Sequence, residues 1–205
     1  IMKTTVKVCG MKDPKLIDTA IENGASFIGF IVNYPKSPRS ISVNELQNLT
    51  KQIPDHIKKV AVMVNPKIKE VKQIENNCDL IQLHGDETND DIKQIKQQTK
   101  LKVIKAIKIK DEKNLNQLQQ FPDADHLLLD TPAMGQEGDE FNFSLLNHIE
   151  NQNFFLAGKI NTNNVGTALK YTDKIDVNSS LETEKGIKDP EKITEFFNKV
   201  KSYEN

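Results

Sequence analysis

A chain of 205 residues has room for one large domain, and a formal net charge of −1 means that neither sign of charge dominates its surface. This charge excludes a general electrostatic attraction to nucleic acid or to an anionic membrane, and no apolar run approaches the ~20 residues that span a bilayer. Hydrophobic residues make up 37% and charged residues 28%, which is typical of a soluble globular protein. We therefore expect one domain over residues 1–205, with no nucleic-acid or membrane partner.

The two cysteines, Cys9 and Cys78, are far apart and do not form a CxxC pair. Their spacing argues against a disulfide framework and against a zinc cluster. Residues 1–8 contain no signal-peptide core and lead directly into a strand-like segment. We therefore expect a cytoplasmic protein without a metal site.

In chain order, short β-branched runs alternate with amphipathic stretches of helix length, which is the pattern of repeated βαβ units. Eight strands are predicted, and they begin near Thr5, Ser26, Lys59, Asp79, Leu101, Asp125, Asn153 and Lys174. Two runs, Phe27–Val32 and Val60–Val64, are apolar almost throughout, as expected of strands buried on both faces. The pattern favours an α/β fold, a single (β/α)8 TIM barrel with eight parallel strands and outer helices, over an open doubly wound sheet.

The sequence also marks helix boundaries. Asp13-Pro14 and Asp189-Pro190 each combine an N-cap residue with proline at the first helical position. Gly24 stands where the first helix should end before the second strand. The last helix is predicted from Pro190 to about Ser202, and a final helix after the eighth strand supports closure of the barrel.

In a barrel of this kind, functional residues lie at the C-terminal ends of the strands and in the loops that follow. Seven segments place polar side chains there: Cys9-Gly10, Asn33–Ser42, Asn65-Pro66, Gln82–Glu87, Leu127–Gly138, Leu156–Ile160 and Asp176–Glu182. Because the strands are parallel, we expect these side chains to gather at one rim.

Cys9 and Asp130 are the candidate catalytic residues. Cys9 ends a strand and precedes the glycine that opens the next loop, which puts its sulfur at the rim, although simple packing would also suit it. Asp130 follows three leucines and could merely cap a turn before Pro132. Burial at that depth would instead raise the pKa of its carboxyl group and suit it to act as an acid near neutral pH.

Arg39 and His84 are candidate substrate-binding residues. Arginine suits bidentate binding of a carboxylate, although a solvated loop residue is the alternative for Arg39. His84 could contact a substrate or simply bond the backbone. Among the lysines around strand five, Lys105 alone interrupts an apolar run and could point into the barrel.

Four further residues are expected to play no part in the chemistry. Cys78 precedes strand four, so it should lie at the opposite end of the barrel from Cys9 as a structural residue. His56, His126 and His148 have no partners at motif spacing.

The loops after strands seven and eight commonly bind phosphate in these barrels. Gly158 and Lys159 belong to the first of these loops, and Ser179 and Ser180 to the second. Glycine permits close backbone approach to an anion and serine supplies a hydroxyl donor, so these four residues predict a phosphorylated small-molecule ligand.

Six segments in this order resemble one known family, the phosphoribosylanthranilate isomerases. They are VKVCGMKDP, YPKSPRSIS, IQLHGDE, LLLDT, LAGKINTNNV and DVNSSLETEKGIKD, which together run from residue 6 to residue 189. The resemblance implies an Amadori rearrangement of N-(5-phosphoribosyl)anthranilate in tryptophan biosynthesis, without a cofactor or metal. It further implies that Cys9 is the general base, that Asp130 is the general acid and that Arg39 binds the anthranilate carboxylate. We expect a monomer, with a dimer as the alternative.

The chain departs from the family pattern in three loops. Residues 135–143 replace a glycine-rich segment, Lys159 stands where the family has a second glycine, and Asn178 and Ser180 replace a serine and a glycine. These changes concern the phosphate contacts rather than the proposed acid and base.

Three other functions remain open on the sequence. The first is another phosphate-binding barrel isomerase or epimerase, although the histidine-pathway isomerases use two aspartates where this chain has Cys9. The second is a Schiff-base aldolase that uses Lys105. The third is a barrel that binds a phosphosugar without catalysis.

Overall fold

Eight parallel strands close into a barrel in the computed structural model, which describes residues 2–132, 140–150 and 153–204. The strands are β1 (Thr5–Val8), β2 (Phe27–Val32), β3 (Lys58–Met63), β4 (Leu80–Leu83), β5 (Lys102–Lys108), β6 (His126–Asp130), β7 (Phe154–Leu156) and β8 (Lys174–Val177). Each pairs with its neighbours in chain order, and β1 pairs with both β2 and β8, which closes the barrel. The predicted fold is confirmed, and every predicted strand start lies within one residue of the observed one.

The outer layer contains six α-helices and two 3₁₀ helices among the described residues. The α-helices are α1 (Pro14–Asn23), α2 (Val43–Thr50), α3 (Ile68–Ile74), α4 (Asn89–Gln98), α5 (Val165–Ala168) and α6 (Pro190–Lys201). The 3₁₀ helices Glu112–Gln119 and Phe143–His148 follow β5 and β6. The sequence predicted outer helices between the strands without specifying their type. In the first segment no side chain is fully buried and only Leu115 and Leu118 pack against the core, which is a narrower apolar face than a longer α-helix presents to a barrel.

The predicted helix boundaries are confirmed. The side chains of Asp13 and Asp189 accept hydrogen bonds from the backbone N–H groups of Lys15 and Glu191, as N-caps do. Gly24 ends α1 with a φ of 119°, a left-handed conformation that glycine adopts without steric cost. No helix within the described ranges is both long and apolar enough to cross a membrane.

Side chains alternate between the barrel interior and the helix layer along each strand. One cluster fills the lower interior and consists of Phe27, Val60, Leu80, Ile104, Ala106, Leu128, Phe155 and Ala157. The opposite face of the strands packs against the helices in a larger core. Since Ile104 and Ala106 face inward, Lys105 faces the helices. Its Nζ lies 2.8 Å from Glu87 Oε1 and 5.2 Å from the ring centroid of Phe121. The prediction that Lys105 points into the barrel is therefore wrong.

Three shorter elements lie near the C-terminal rim. Ser40–Ile41 adds a short strand beside β2, and Ser179–Leu181 forms a 3₁₀ turn after β8. Glu182–Glu184 and Ile187–Lys188 form a small antiparallel hairpin that precedes α6. These elements place residues 39, 179 and 182 around the mouth of the barrel.

Candidate active site

A cavity of about 600 Å³ opens at the C-terminal end of the barrel. Seven of the eight predicted site residues line it: Cys9, Arg39, His84, Asp130, Gly158, Lys159 and Ser179. The eighth, Ser180, is not part of the lining, and its hydroxyl group donates to the carbonyl oxygen of Ile160 at 2.6 Å. Cys78 precedes β4, at the opposite end of the barrel from Cys9, as predicted.

Cys9 follows β1 and is 5% exposed at the base of the cavity. Burial raises the pKa of its thiol above the ordinary value, and the positive charge of Lys7 works in the opposite direction. The glycine beside it on β2 makes room for the sulfur, because a Cβ at Gly29 would lie 2.9 Å from Cys9 Sγ. A substituent there would displace the thiol.

Lys7 and Asp176 form an ion pair inside the barrel, and sequence reasoning missed both residues. Lys7 is 0% exposed, and its Nζ lies 2.7 Å from Asp176 Oδ1. Burial alone would lower the pKa of Lys7, but the charge of Asp176 and contact with Cys9 raise it to about 12. Strand alternation could have found the lysine, because it lies two residues before Cys9 and therefore shares its face.

Asp130 ends β6 and is 4% exposed at the cavity wall. Burial, followed by the negative charge of Asp176, raises the pKa of its carboxyl group to about 7. The backbone N–H of Thr131 donates to Asp130 Oδ1 at 2.7 Å, which favours the ionised form but does not outweigh burial. A carboxyl group with this pKa is suited to donate a proton near neutral pH.

His84 lies beside Asp130 and is neutral. Burial, together with the charges of Lys7, Lys105 and Lys108, lowers its pKa to about 3. The side-chain amide nitrogen of Gln82 lies 2.9 Å from His84 Nδ1 and can only donate a hydrogen bond to it. Nδ1 is therefore the acceptor, and the neutral ring carries its proton on Nε2. Nε2 lies 3.8 Å from Asp130 Oδ2. His84 can therefore donate a hydrogen bond toward the acid or toward a ligand beside it.

Arg39 lies at the cavity wall with its guanidinium group held by a carboxylate of the protein itself. Its Nε donates to Glu182 Oε2 at 2.7 Å, and its Nη2 donates to Glu182 Oε1 at 2.6 Å. Lys188 Nζ adds a second cation 3.1 Å from Glu182 Oε2. Burial raises the pKa of Glu182, but the hydrogen bonds and charges of Arg39 and Lys188 outweigh burial and lower this pKa below its ordinary value. Bidentate binding by Arg39 was predicted, and the partner seen here is Glu182.

The loop after β7 brings backbone groups to the cavity at Gly158 and Lys159. Gly158 has a φ of 95°, and a Cβ there would lie 2.8 Å from Thr131 Cγ2, so only glycine fits. Lys159 also has a left-handed φ, 54°, and its carbonyl oxygen accepts from the side-chain amides of Asn161 and Asn164. Ser179 begins the 3₁₀ turn after β8, which lies beside this loop and also lines the cavity.

Lys108 is the lysine of β5 that lines the cavity, and sequence reasoning missed it. It follows the inward-facing Ile104 and Ala106 in the alternation, and it pairs with Asp130 in the ladder between β5 and β6.

Within residues 2–132, 140–150 and 153–204, no three His, Cys, Asp or Glu side chains are grouped so that they could hold a metal ion. Much of the predicted loop at 135–143 lies outside the described residues.

Residues 6–199 match the family model described as N-(5'phosphoribosyl)anthranilate (PRA) isomerase. An N-(5'-phosphoribosyl)anthranilate isomerase from Listeria monocytogenes serotype 4b is 38% identical over 208 residues, covering 97% of this chain and 99% of the relative. One from Rhizobium rhizogenes is 35% identical over 211 residues, covering 97% of this chain and 95% of the relative.

Solved structures show the same similarity. The crystal structure of phosphoribosyl anthranilate isomerase from Thermotoga maritima superposes with a TM-score of 0.88 at 29% identity, covering 97% of this chain and 99% of that one. A second structure of such an isomerase, in complex with reduced 1-(o-carboxyphenylamino)-1-deoxyribulose 5-phosphate, has a TM-score of 0.84 at 27% identity with the same coverage.

Proposed function

The chain belongs to the N-(5'-phosphoribosyl)anthranilate isomerase family, and we propose that it converts N-(5'-phosphoribosyl)anthranilate into 1-(o-carboxyphenylamino)-1-deoxyribulose 5-phosphate in tryptophan biosynthesis. The observation that carries the proposal is the placement of Cys9 and Asp130 on one cavity, in a chain that matches the family over residues 6–199. The reaction moves hydrogen within one molecule, from C2' and its hydroxyl group to C1' and the ring oxygen.

Asp130 acts as the general acid in the first half of the reaction. Its pKa of about 7 keeps a large fraction of the carboxyl group protonated near neutral pH. It gives its proton to the furanose ring oxygen, the bond between C1' and that oxygen breaks, and the nitrogen lone pair forms the iminium double bond to C1'. Protonation of the leaving oxygen contributes on the order of 10²–10⁴ in rate in such steps.

Cys9 acts as the general base in the second half. The iminium cation acidifies the hydrogen on C2', and the Cys9 thiolate removes it, so that the electron pair of the C–H bond neutralises the iminium. The resulting enolamine gains a proton at C1' and loses the proton of its C2' hydroxyl group, which gives the ketone. Burial opposes formation of the thiolate, whereas the positive charge of Lys7 favours it.

The protein binds the two anionic groups of the substrate, its phosphate and its carboxylate, with different residues. Backbone N–H groups at Gly158 and around Ser179 and Ser180 bind the phosphate, because these loops follow β7 and β8. Arg39 contacts the substrate carboxylate while Glu182 orients the guanidinium group. His84 donates a hydrogen bond from Nε2 to the substrate beside Asp130. We further propose that the protein works without a cofactor or metal, as a monomer, in the cytoplasm.

The test is turnover of N-(5'-phosphoribosyl)anthranilate by the purified protein, followed by loss of the substrate's fluorescence. It is paired with growth of a tryptophan auxotroph that lacks this isomerase. We expect turnover and restored growth. Binding of the reduced product analogue without turnover and without growth would support the non-catalytic phosphosugar-binding barrel instead.

Competition by a simple anion tests the phosphate loops separately. Inorganic phosphate should inhibit competitively, and in crystals it should lie at Gly158 and Ser179. Inhibition that is not competitive with the substrate would remove these loops from the proposal without affecting Cys9 and Asp130.

A further inference from the structure

The ion pair of Lys7 and Asp176 lies directly beneath the proposed acid and base. Its members come from neighbouring strands, β1 and β8, and they are register partners in that ladder. Lys7 is fully buried and Asp176 is 9% exposed. Taking both charges out of water is costly, and an ion pair at such a position adds little net stability over well-packed apolar residues. Stability alone is therefore a weak reason for its presence.

The positive end of the pair lies against Cys9. A Cβ built at Gly29 would lie 2.9 Å from Cys9 Sγ and 3.1 Å from Lys7 Nζ, so both groups converge on the space that this glycine leaves. Lys7 has the largest effect of any charged group on the pKa of Cys9, and it lowers that pKa, whereas the smaller effect of Asp176 raises it.

The negative end of the pair acts on Asp130. Asp176 and Asp130 both line the cavity, on strands separated only by β7. Among charged groups, Asp176 has the largest effect on the pKa of Asp130 and raises it, whereas Lys7 lowers it less. The two ends of one ion pair thus act in opposite directions on the two proposed catalytic residues.

We propose that Lys7 and Asp176 are positioning residues that set the protonation states of the site. The ammonium group of Lys7 holds Cys9 in place and favours its thiolate, and the carboxylate of Asp176 favours the protonated form of Asp130. The pair thus offsets part of the effect of burial on Cys9 and adds to the effect of burial on Asp130, so that the thiol loses its proton more readily and the carboxyl group keeps its proton. This inference rests on the proposed function for the roles of Cys9 and Asp130.

Other charged groups face the same cavity from every side and act less directly. Lys188 is bound to Glu182 and to Asn178, and Glu182 also holds Arg39. Lys108, Lys159 and Lys185 line the mouth and are exposed, so water screens their charges. His84 is neutral. The buried pair is therefore the main fixed charge distribution next to both reacting groups.

Titration of the two groups tests the proposal without any need for turnover. In a Cys78→Ala background, the rate of alkylation of Cys9 by iodoacetamide is measured against pH. Lys7→Met should move the midpoint of this titration upward by about one unit or more, since a neighbouring charge typically shifts a pKa by one to three units.

Carbon-13 NMR follows the titration of the Asp130 carboxyl group, whose signal is assigned because it is missing from the spectrum of Asp130→Asn. Asp176→Asn should lower that midpoint by about one unit or more. Unchanged midpoints in both variants would overturn the proposal.

A double variant separates this role from a purely structural one. Lys7→Met/Asp176→Asn removes both charges together, so neither is left buried without its partner, and the variant should fold with a melting temperature near that of the unaltered protein. We expect kcat/KM to fall at least ~10²-fold. A folded double variant with unaltered kcat/KM would show that the pair serves only the fold. Because the titrations do not depend on catalysis, an active Cys9→Ala variant would refute the assigned base while leaving the electrostatic inference separately testable.

Discussion

Lys159 carries a side chain at a backbone position that suits glycine. Its φ of 54° is left-handed, a conformation that costs an ordinary residue roughly 1–2 kcal/mol. The side chain is exposed, and the carbonyl oxygen is already held by Asn161 and Asn164. The backbone of this loop is therefore held by Asn161 and Asn164 independently of the Lys159 side chain.

Lys159→Gly should raise the free energy of unfolding by up to ~1 kcal/mol and leave KM within a few-fold, because a site built from backbone N–H groups does not need the amine. Urea denaturation and steady-state kinetics measure the two effects. Lys159→Ala is the matched control, since it removes the charge and keeps the left-handed strain. A rise in KM above ~10-fold in both variants would show that the ammonium group binds the phosphate directly.

Asp130 should make the protein less stable as the pH rises. Its pKa is raised from 3.8 to about 7 in the folded state, so the folded protein holds this proton more tightly than the unfolded chain does. The stability contributed by the protonated group is complete below about pH 4 and is lost between about pH 4 and pH 7, at about 1.4 kcal/mol per pH unit.

Asp130→Asn removes this titration. The free energy of unfolding of the variant should rise relative to that of the unaltered protein as the pH is raised from 5 to 8. Urea denaturation of both proteins at each pH measures this difference. An equal difference between the two proteins across that range would contradict the raised pKa of Asp130.

Strand alternation explains both the success and the failure of the sequence predictions at the level of elements. Cys9, His84 and Asp130 could be placed at the rim because each ends an apolar run. The inward face of β5 was assigned wrongly: Lys105 interrupts the run, but Ile104, Ala106 and Lys108 form the inward set. The register within a strand buried on both faces cannot be read from hydrophobicity alone, because both faces are apolar.

Contacts between distant segments could not be predicted from the sequence. Glu182 holds Arg39 across 143 residues of chain, and Asp176 meets Lys7 across 169. Neither pair shares a motif, and each forms only because β8 returns to β1. The closed sheet supplies these partners, so the sequence identifies Arg39 as a site residue but does not show which way its side chain points.

At Gly29, strand β2 contributes a gap to the site. Gly29→Ala would place a methyl group 2.9 Å from Cys9 Sγ and 3.1 Å from Lys7 Nζ. We expect kcat to fall at least ~10-fold with KM less affected, because the thiol moves away from the reacting carbon while the anion-binding loops stay in place.

The matched control is Gly166→Ala in α5, where the added methyl group meets the ring of Tyr203 on the far side of the helix layer. This control should lower stability and leave kcat within about two-fold. Equal kcat in Gly29→Ala and Gly166→Ala would mean that the position of the sulfur is not critical.

On the scale of the whole molecule, closure of the barrel brings together residues that the chain keeps far apart. Cys9 follows β1, Asp130 ends β6 and Asp176 lies on β8, yet all three line one cavity. The lower interior is apolar and aromatic, with Phe27, His126 and Phe155 in edge-to-face contact. The charged groups Lys7 and Asp176 lie above this apolar layer and are buried, so their charges act more strongly there than in water.

The measurement that tests the central claim most directly is kcat for N-(5'-phosphoribosyl)anthranilate in Cys9→Ala and Asp130→Asn, with Cys78→Ala as the control thiol. Cys9→Ala and Asp130→Asn should each lower kcat at least ~10²-fold with little change in KM, because each removes one proton transfer and leaves the binding groups in place. Cys78→Ala should keep kcat, since this residue lies at the other end of the barrel. Turnover close to that of the unaltered protein in either Cys9→Ala or Asp130→Asn would contradict the acid–base pair proposed for this cavity.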